Sequence, residues 1–213
     1  MTKLRMSWPN RITIARILLI LPFVVAMLQI NRPECQPWAR YLALLIFLLM
    51  AISDGLDGYL ARKYRRVTML GTFLDPLADK LLITCASLLL AIDSTAIPGA
   101  RLPSTIVAVI IGKDLYITLG FLILYFLTSE LKIVPVSIGK LCTAAQLSMV
   151  VATLLAPDLT PRLPAYRYFL LFLWWSSATL AAAAVLIYTR NGSRYYNEFE
   201  HRQKLLKHQP PKP

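Results

Sequence analysis

Four aspartates within twenty-six residues are the part of this sequence best suited to chemistry: Asp54, Asp57, Asp75 and Asp79. They lie between strongly apolar stretches. A charged side chain at the depth of a bilayer costs about 2.5–3.5 kcal/mol, so four unpaired carboxylates would cost roughly 10 kcal/mol. That is comparable with the whole stability of a typical domain. The cluster therefore requires bound cations or contact with water, and its spacing favours cations.

The spacing places each pair of acids on one face of a helix. Asp54 and Asp57 are three residues apart, and Asp75 and Asp79 are four residues apart. Residues at these separations are neighbours on a helix surface. The connection over residues 62–71 is short, which predicts that the two helices are antiparallel neighbours. We therefore expect the four carboxylates to converge near the cytoplasmic boundary of a membrane.

Such a cluster predicts a site for two divalent cations. Two carboxylates about 4 Å apart repel each other by about 4 kcal/mol at an effective dielectric constant near 20, so the group either protonates or binds cations. Oxygen ligands suit Mg²⁺ or Mn²⁺, and the His or Cys ligands typical of zinc are missing nearby. Two such ions form a clamp for in-line displacement at phosphorus. The alternative is four separate helix-end acids paired with Arg62, Lys63 and Lys80.

The small and basic residues around the acids fit a phosphate-containing ligand. Gly58 and Ala61 share a helix face with the first two acids and leave room for a flat ligand, while Gly71 permits close helix approach. Arg62 offers a two-pronged donor to a phosphate. Thr68, in the connecting loop, supplies a hydroxyl. Simple helix packing is the alternative role for the small residues, and a loop cap is the alternative for Thr68.

The rest of the sequence predicts six membrane-spanning helices that position these residues. The chain of 213 residues is 57% hydrophobic, whereas soluble domains are about 45–50% apolar. Its apolar runs approach the ~20 residues that cross a hydrocarbon core. Backbone groups in lipid must be satisfied within each segment, and the alternation of a β-barrel strand is absent. The predicted all-α bundle comprises spans 12–30, 38–60, 71–92, 104–128, 136–155 and 166–189, within one domain over residues 12–190.

The net charge of +12 indicates orientation in a membrane rather than binding to nucleic acid. Basic residues concentrate before the first span, between the second and third, and after the last, which predicts that both termini are cytoplasmic. They also attract anionic membrane lipids.

Residues 1–11 are expected to form an interfacial helix, with a frayed terminus as the alternative. Residues 191–213 are expected to form a polar cytosolic tail, either disordered or surface-associated. No Arg-rich, Ser-rich transit segment precedes the first span, which favours a bacterial inner membrane over a mitochondrial one.

With these residues the chain resembles the CDP-alcohol phosphotransferase family, whose signature is D-x-x-D-G-x-x-A-R-x8-G-x-x-x-D-x-x-x-D. All eight fixed positions match without gap or substitution: Asp54, Asp57, Gly58, Ala61, Arg62, Gly71, Asp75 and Asp79. The resemblance implies that the four aspartates hold two divalent metals and that Asp79 is also the general base. It further implies contacts to the CDP part of the donor from Asp54, Gly58, Ala61, Arg62, Thr68 and Gly71.

The expected identity of the acceptor alcohol rests on a weaker resemblance. Segments 9–16 and 74–80 look like those of phosphatidylglycerophosphate synthases and CMP-forming cardiolipin synthases, and segment 136–146 resembles the synthases that use glycerol 3-phosphate. Lys113 and Lys140 are the expected contacts to the acceptor phosphate, with an interfacial snorkelling lysine as the alternative role for each. The implied reaction joins CDP-diacylglycerol and glycerol 3-phosphate to give phosphatidylglycerophosphate and CMP. Phosphatidylglycerol as acceptor, giving cardiolipin, or another alcohol is the alternative.

Two positions depart from the glycerol 3-phosphate pattern. Cys142 stands where those synthases often have a second lysine, and Lys113-Asp114 replaces their Arg-Glu pair, nearer to the Arg-Asp of the cardiolipin enzymes. Homodimers are usual in the resembled family, and the residues do not indicate which face would associate.

Two further classes of protein are alternatives to this family. Aspartate-rich membrane prenyltransferases also bind diphosphate through Mg²⁺, but they normally have more spans and lack Gly-x-x-Ala-Arg directly after the first pair of acids. A cation transporter would need acids along a route through the bilayer, whereas these are expected to crowd at one end.

Overall fold

Six helices make up the computed structural model, which describes residues 8–32, 34–64, 69–128 and 137–207. Its side chains are described over the same ranges except for 8–13, 36–37, 54–64, 69–79, 125, 137 and 202–207. Within the described ranges there is no β-strand, so the expected all-α class is confirmed for that part of the chain. The helices are α1 (Trp8–Leu28), α2 (Gln36–Tyr64), α3 (Met69–Ala91), α4 (Ser104–Thr128), α5 (Ser137–Leu159) and α6 (Tyr166–Lys207).

Each predicted span coincides with one of these helices, and span 104–128 coincides with α4 at both ends. By length and composition, three helices of the described residues can cross a membrane: Ser104–Thr128, Ile138–Leu159 and Tyr166–His201. Shorter apolar helical stretches occur at Ile14–Leu28, Trp38–Ser53 and Lys80–Ala91. The sequence therefore predicted the positions of the helices.

Polar caps close the turn between α3 and α4. The Thr95 hydroxyl donates to the Leu89 carbonyl at 2.5 Å, which satisfies one of the carbonyls left open at the end of α3. Gly99 has a φ of 76°, a left-handed conformation that glycine adopts without steric cost. Asn31, in the turn after α1, donates its amide to the carbonyls of Ser94 and Ala96 at 3.0 and 3.1 Å. The two turns at this end of the bundle are thus joined.

An apolar core runs through the same half of the bundle. α1 packs against both α2 and α3, while α6 packs against α4 and α5. The rings of Phe23 and Phe47 meet with centroids 5.9 Å apart, and Leu90 and Ile106 are fully buried beside them in the same cluster. Large apolar side chains also cover much of the exterior. An apolar exterior suits lipid as the surrounding solvent rather than water.

An ion pair joins the first turn of α2 to the last turn of α5. Arg40 Nη2 lies 2.7 Å from Asp158 Oδ1, with side chains 11% and 29% exposed. The Tyr41 hydroxyl donates to the same carboxylate oxygen at 3.1 Å, and the Arg40 guanidinium lies 4.8 Å from the centre of the Tyr41 ring. This three-residue cluster fixes the distance between α2 and α5 at the end of the bundle away from the acids.

The end of α6 differs from the predicted boundary. The sixth span was predicted to end at residue 189, but α6 continues to Lys207. The disordered alternative for the tail is therefore wrong for residues 191–207, which are helical. The predicted interfacial segment falls mostly on residues 1–7, which lie outside the described ranges, and α1 begins at Trp8.

Breaking the Arg40–Asp158 pair should lower stability. Either Arg40→Met or Asp158→Ala leaves a mostly buried charge without its partner, so we expect a loss of about 2 kcal/mol for each. The double variant should lose clearly less than the sum, because the second change removes the charge that the first left unpaired. Thermal unfolding in detergent measures all three values.

The control for this cycle is Asp93→Asn. Asp93 pairs with Arg101 where both side chains are at least half exposed, so its loss should change stability by less than about 0.5 kcal/mol. Additive losses at Arg40 and Asp158 would show that the two residues do not act together.

Candidate active site

The four aspartates lie at matching depths on two successive helices. Asp54 and Asp57 are in the second half of α2, and Asp75 and Asp79 are in the first half of α3. Asp54 and Asp79 are each ten residues, or about 15 Å, from the helix end next to the connection. Asp57 and Asp75 are seven and six residues away, or about 10 Å. Asp54 and Asp79 therefore lie at about the same distance from the connection, and Asp57 and Asp75 lie together at a shorter distance from it.

The side chains of these acids lie outside the described residues, so their convergence stays a prediction. The same holds for the side chains of the expected CDP contacts Ala61 and Arg62, and for the positions of Gly58 and Gly71, of which only the helical backbone is described. Thr68 lies wholly outside the described residues. Among the side chains that are described, no group of three or more His, Cys, Asp or Glu could hold a metal ion.

Arg16 brings a buried positive charge to the helix that contacts both acid-bearing helices. It lies in α1, its side chain is about 1% exposed, and α1 packs against α2 and α3. A guanidinium inside an apolar bundle is stable only with hydrogen-bonding or anionic partners. In the sequence Arg16 belongs to segment 9–16, which resembles the phosphatidylglycerophosphate and cardiolipin synthases. The stronger signal was its position inside an otherwise apolar span.

Lys113 is buried rather than interfacial. Its side chain is 9% exposed, and its ammonium lies 3.1 Å from Asp114 Oδ1 on the next residue of α4. The Cys142 thiol of α5 is close to the same ammonium. Burial at this depth does not fit a snorkelling lysine, whose ammonium reaches water. The structure therefore places one of the two expected acceptor contacts inside the bundle, between α4 and α5.

Lys140 has different surroundings. Its side chain is exposed, and it precedes Cys142 by two residues on α5, which places it about 200° around the helix from that thiol. The described contacts do not bring Lys140 and Lys113 together. Sequence spacing did not reveal this difference, because it does not determine which face of α5 meets α4.

A second polar group on α5 belongs to segment 136–146, but its burial was not predicted from the sequence. Gln146 is about 1% exposed, and its Nε2 has no hydrogen-bond partner among the described residues. It follows Cys142 by one helical turn and so lies on the face near Lys113. On that face Gly139 lets α6 come close, since a Cβ there would lie 3.1 Å from the Tyr188 hydroxyl. A buried amide donor and a buried ammonium thus occupy one side of α5.

Lys80, the residue after Asp79, has a described contact with α4. Its pairing with the acids, which was the alternative interpretation, stays a prediction because the side chains of the acids lie outside the described residues. Lys80 Nζ donates to the Thr118 hydroxyl of α4 at 2.8 Å. The Thr118 hydroxyl in turn donates to the Asp114 carbonyl at 2.7 Å. The ammonium of Lys80 is therefore directed toward α4, where Lys113 and Asp114 also lie.

A bundle whose described part is all helical, with an apolar exterior and acids on two successive helices, is typical of a helical membrane protein with a polar site. Residues 6–189 match the family model of the CDP-alcohol phosphatidyltransferases. The chain belongs to that family, as the complete signature had indicated, and it is therefore a phosphatidyltransferase by class.

Curated relatives carry one specific name. A protein of Bacillus subtilis (strain 168) named CDP-diacylglycerol–glycerol-3-phosphate 3-phosphatidyltransferase is 35% identical over 174 residues, covering 78% of this chain and 85% of its own length. A protein of Sodalis glossinidius with the same name is 30% identical over 73% of this chain and 80% of its own length. A Rickettsia bellii protein, also of this name, is 47% identical over 88 residues, which is 41% of this chain and 46% of that protein. In that match the chain spans less than half of the relative's length.

The orphaned amide of Gln146 leads to a stability prediction. Burying a donor without a partner costs about 1–3 kcal/mol, and Gln146→Leu removes that donor while keeping a similar volume. We expect the variant to be as stable as the wild type or more stable by about 1 kcal/mol, measured by thermal unfolding in detergent.

A matched control for this prediction is Leu147→Ala, at the next position on α5. Leu147 is partly buried against the apolar core, so truncation should destabilise through lost packing. A fall in stability for Gln146→Leu similar to that for Leu147→Ala would show that the amide has a partner after all.

Proposed function

We propose that this chain is a multi-pass membrane enzyme that transfers a phosphatidyl group from CDP-diacylglycerol to glycerol 3-phosphate, giving phosphatidylglycerophosphate and CMP. The observation that carries this proposal is the match to the Bacillus subtilis relative, which covers most of both chains and bears the name of that reaction. The complete signature, with five of its eight fixed positions in α2 and three in α3, supports it.

The proposed topology has six spans with both termini on the cytoplasmic side of a bacterial inner membrane. The coincidence of each predicted span with one helix supports it, as does the apolar exterior of the described residues. The acids then lie about 10–15 Å from the helix ends next to the connection. A site at that depth is open to nucleotide from the cytoplasm and to the lipid tails of the donor from the side.

In the proposed reaction two divalent cations are held by Asp54, Asp57, Asp75 and Asp79, a set of oxygen ligands suited to Mg²⁺ or Mn²⁺. When bound, such ions neutralise the diphosphate of the donor and stabilise the leaving group. The protein contributes orientation and proton transfer. Arg62 would bind the donor phosphates, while Gly58, Ala61, Thr68 and Gly71 would line the space for the CDP group.

Proton transfer in this mechanism falls to Asp79. The acceptor hydroxyl loses its proton to the Asp79 carboxylate as its oxygen forms a bond to the phosphorus next to the diacylglycerol. The bond from that phosphorus to the CMP oxygen breaks, and CMP leaves with the electron pair. A carboxylate is a weak base at neutral pH, so much of the rate must come from the orientation of the two substrates.

Lys113 is the residue best placed to hold the acceptor phosphate. Its ammonium is desolvated and lies next to the Asp114 carboxylate, and the buried amide donor of Gln146 is on the facing side of α5. A phosphate entering there would gain interactions stronger than those it has in water, because the local dielectric is low. Lys140, on the exposed side of α5, would contact the acceptor phosphate as it enters this site.

The identity of the acceptor is tested by giving the purified protein labelled CDP-diacylglycerol and one candidate alcohol at a time. We expect glycerol 3-phosphate to support CMP release, and phosphatidylglycerol, inositol phosphate and serine to support little. Lys113→Met should raise the KM for glycerol 3-phosphate about tenfold, the loss typical of one charge-assisted hydrogen bond. Formation of cardiolipin as the main product would instead show that phosphatidylglycerol is the acceptor.

Removal of metal and of the base should each stop the reaction. Dialysis against a chelator should abolish CMP release, and Mg²⁺ or Mn²⁺ should restore it. Asp79→Asn should lower kcat by about 10²–10⁴-fold, the usual contribution of a general base. Asp93→Asn, at the opposite end of α3, is the control carboxylate and should retain activity. Full activity after metal stripping would contradict the proposed site.

A further inference from the structure

One polar side-chain contact crosses from α3 to α4 in the described part of the chain, and it starts directly after Asp79. Lys80 Nζ donates to Thr118 Oγ1 at 2.8 Å, between residues 38 positions apart. The Thr118 hydroxyl donates its own proton to the Asp114 carbonyl at 2.7 Å. Both functions of the hydroxyl are therefore in use, as donor to its own helix and as acceptor from α3. This fixes its orientation.

The contact between Lys80 and Thr118 is linked through Asp114 to Lys113, the expected contact to the acceptor phosphate. Asp114, whose carbonyl anchors Thr118, places its carboxylate 3.1 Å from the Lys113 ammonium. A continuous path of side chains and one helical turn therefore links Lys80 on α3 to Lys113 on α4. Lys80 follows Asp79 in the chain, so this path joins the helix of the proposed base to the helix of the proposed acceptor contact.

From this geometry we infer that Lys80 is a positioning residue: its bond to Thr118 sets the distance between the backbone at Asp79 and the Lys113–Asp114 pair. The inference rests on the proposed function, because it assigns Asp79 and Lys113 to the two reacting partners. Lys80 acts through Thr118 and touches neither substrate. An error of about 1 Å in the separation of reacting groups is enough to slow a reaction by about two orders of magnitude.

The chemistry of the contact supports this role. Lysine is flexible, with four rotatable carbon bonds, and an ammonium directed to a carboxylate of the cluster would compete with bound cations. A hydroxyl acceptor holds the ammonium without adding a negative charge. Cross-helix hydrogen bonds of this kind also contribute to helix association in lipid, where apolar side chains supply no hydrophobic driving force between helices.

A cycle of variants tests the inference through kinetics. Lys80→Met keeps the length of the side chain and removes the donor, while Thr118→Val keeps the shape and removes the acceptor. We expect each to raise the KM for glycerol 3-phosphate about tenfold, with the KM for CDP-diacylglycerol changed less than about twofold. The double variant should be no worse than either single variant, because both remove the same bond.

Two controls separate positioning from general damage. Lys80→Arg retains a donor on a long side chain and should recover most of the acceptor affinity. Thr179→Val makes the same replacement at an exposed threonine of α6 whose hydroxyl donates to the Ser176 carbonyl at 2.9 Å on its own helix, and it should leave both KM values unchanged.

The outcomes separate this inference from the proposed function. Additive effects of Lys80→Met and Thr118→Val, or equal rises in both KM values, would overturn the positioning role while wild-type activity on glycerol 3-phosphate stands. A wild-type protein that releases no CMP with any acceptor would overturn the proposed function and this inference with it.

Discussion

The rest of this structure depends on one constraint, which is that a charged group inside an apolar bundle must find a partner. Charged residues are expensive within a membrane, and those that occur there face the interior and pair with polar groups. Arg16, Lys113 and Arg40 follow this rule, since all three are largely buried in the bundle. Lys113 and Arg40 have an aspartate partner within 3.1 Å. The positions of these charges therefore decide how the helices pack as much as the apolar side chains do.

The constraint divides the bundle into two halves with different roles. In one half the Phe23–Phe47 pair and the Leu90 cluster form a dry core, and the Arg40–Asp158 pair closes its end. The other half carries the four aspartates, the buried Lys113 and the amide of Gln146, which has no partner among the side chains that the structure describes. Sites for charged ligands are usually less stable than the scaffold that holds them, because their polar groups are satisfied only when the ligand is bound. The apolar half supplies the rigidity that such a site requires.

The sequence predicted the helices well because lipid imposes a simple rule. A run of about 20 apolar residues must be helical in a membrane, so both ends of α4 were predicted correctly. The same rule missed the end of α6. Hydropathy reports the surroundings of a segment, whereas helix continuation depends on propensity. The mostly polar segment after residue 190 contains good helix formers such as Arg, Glu and Leu. The disordered alternative for the tail was wrong for this reason.

For the candidate site, residue types and helix faces could be predicted from the sequence, but their partners could not. The signature and its spacing placed the acids on two successive helices, which the backbone confirms, while their convergence and the metals stay predictions. Lys113 and Lys140 were indistinguishable in the sequence, because nothing in it determines how α5 turns against α4. Their difference in burial is a tertiary effect. The same is true of Gln146, which belongs to the resembling segment 136–146 but whose burial depends on the packing of α6 near Gly139, on the same face of α5.

Under the proposed function, the Lys113–Asp114 pair explains how one site can bind a phosphate and still release the product. A lone buried ammonium would bind a dianionic phosphate tightly, and the charged product retains that phosphate. Asp114 offsets part of the charge of Lys113, so an entering phosphate must compete with a carboxylate 3.1 Å away. The net attraction is then smaller than the full Coulomb energy, which in a low-dielectric interior is large. Binding energy that remains the same in substrate and product does not raise kcat, and reducing it favours turnover.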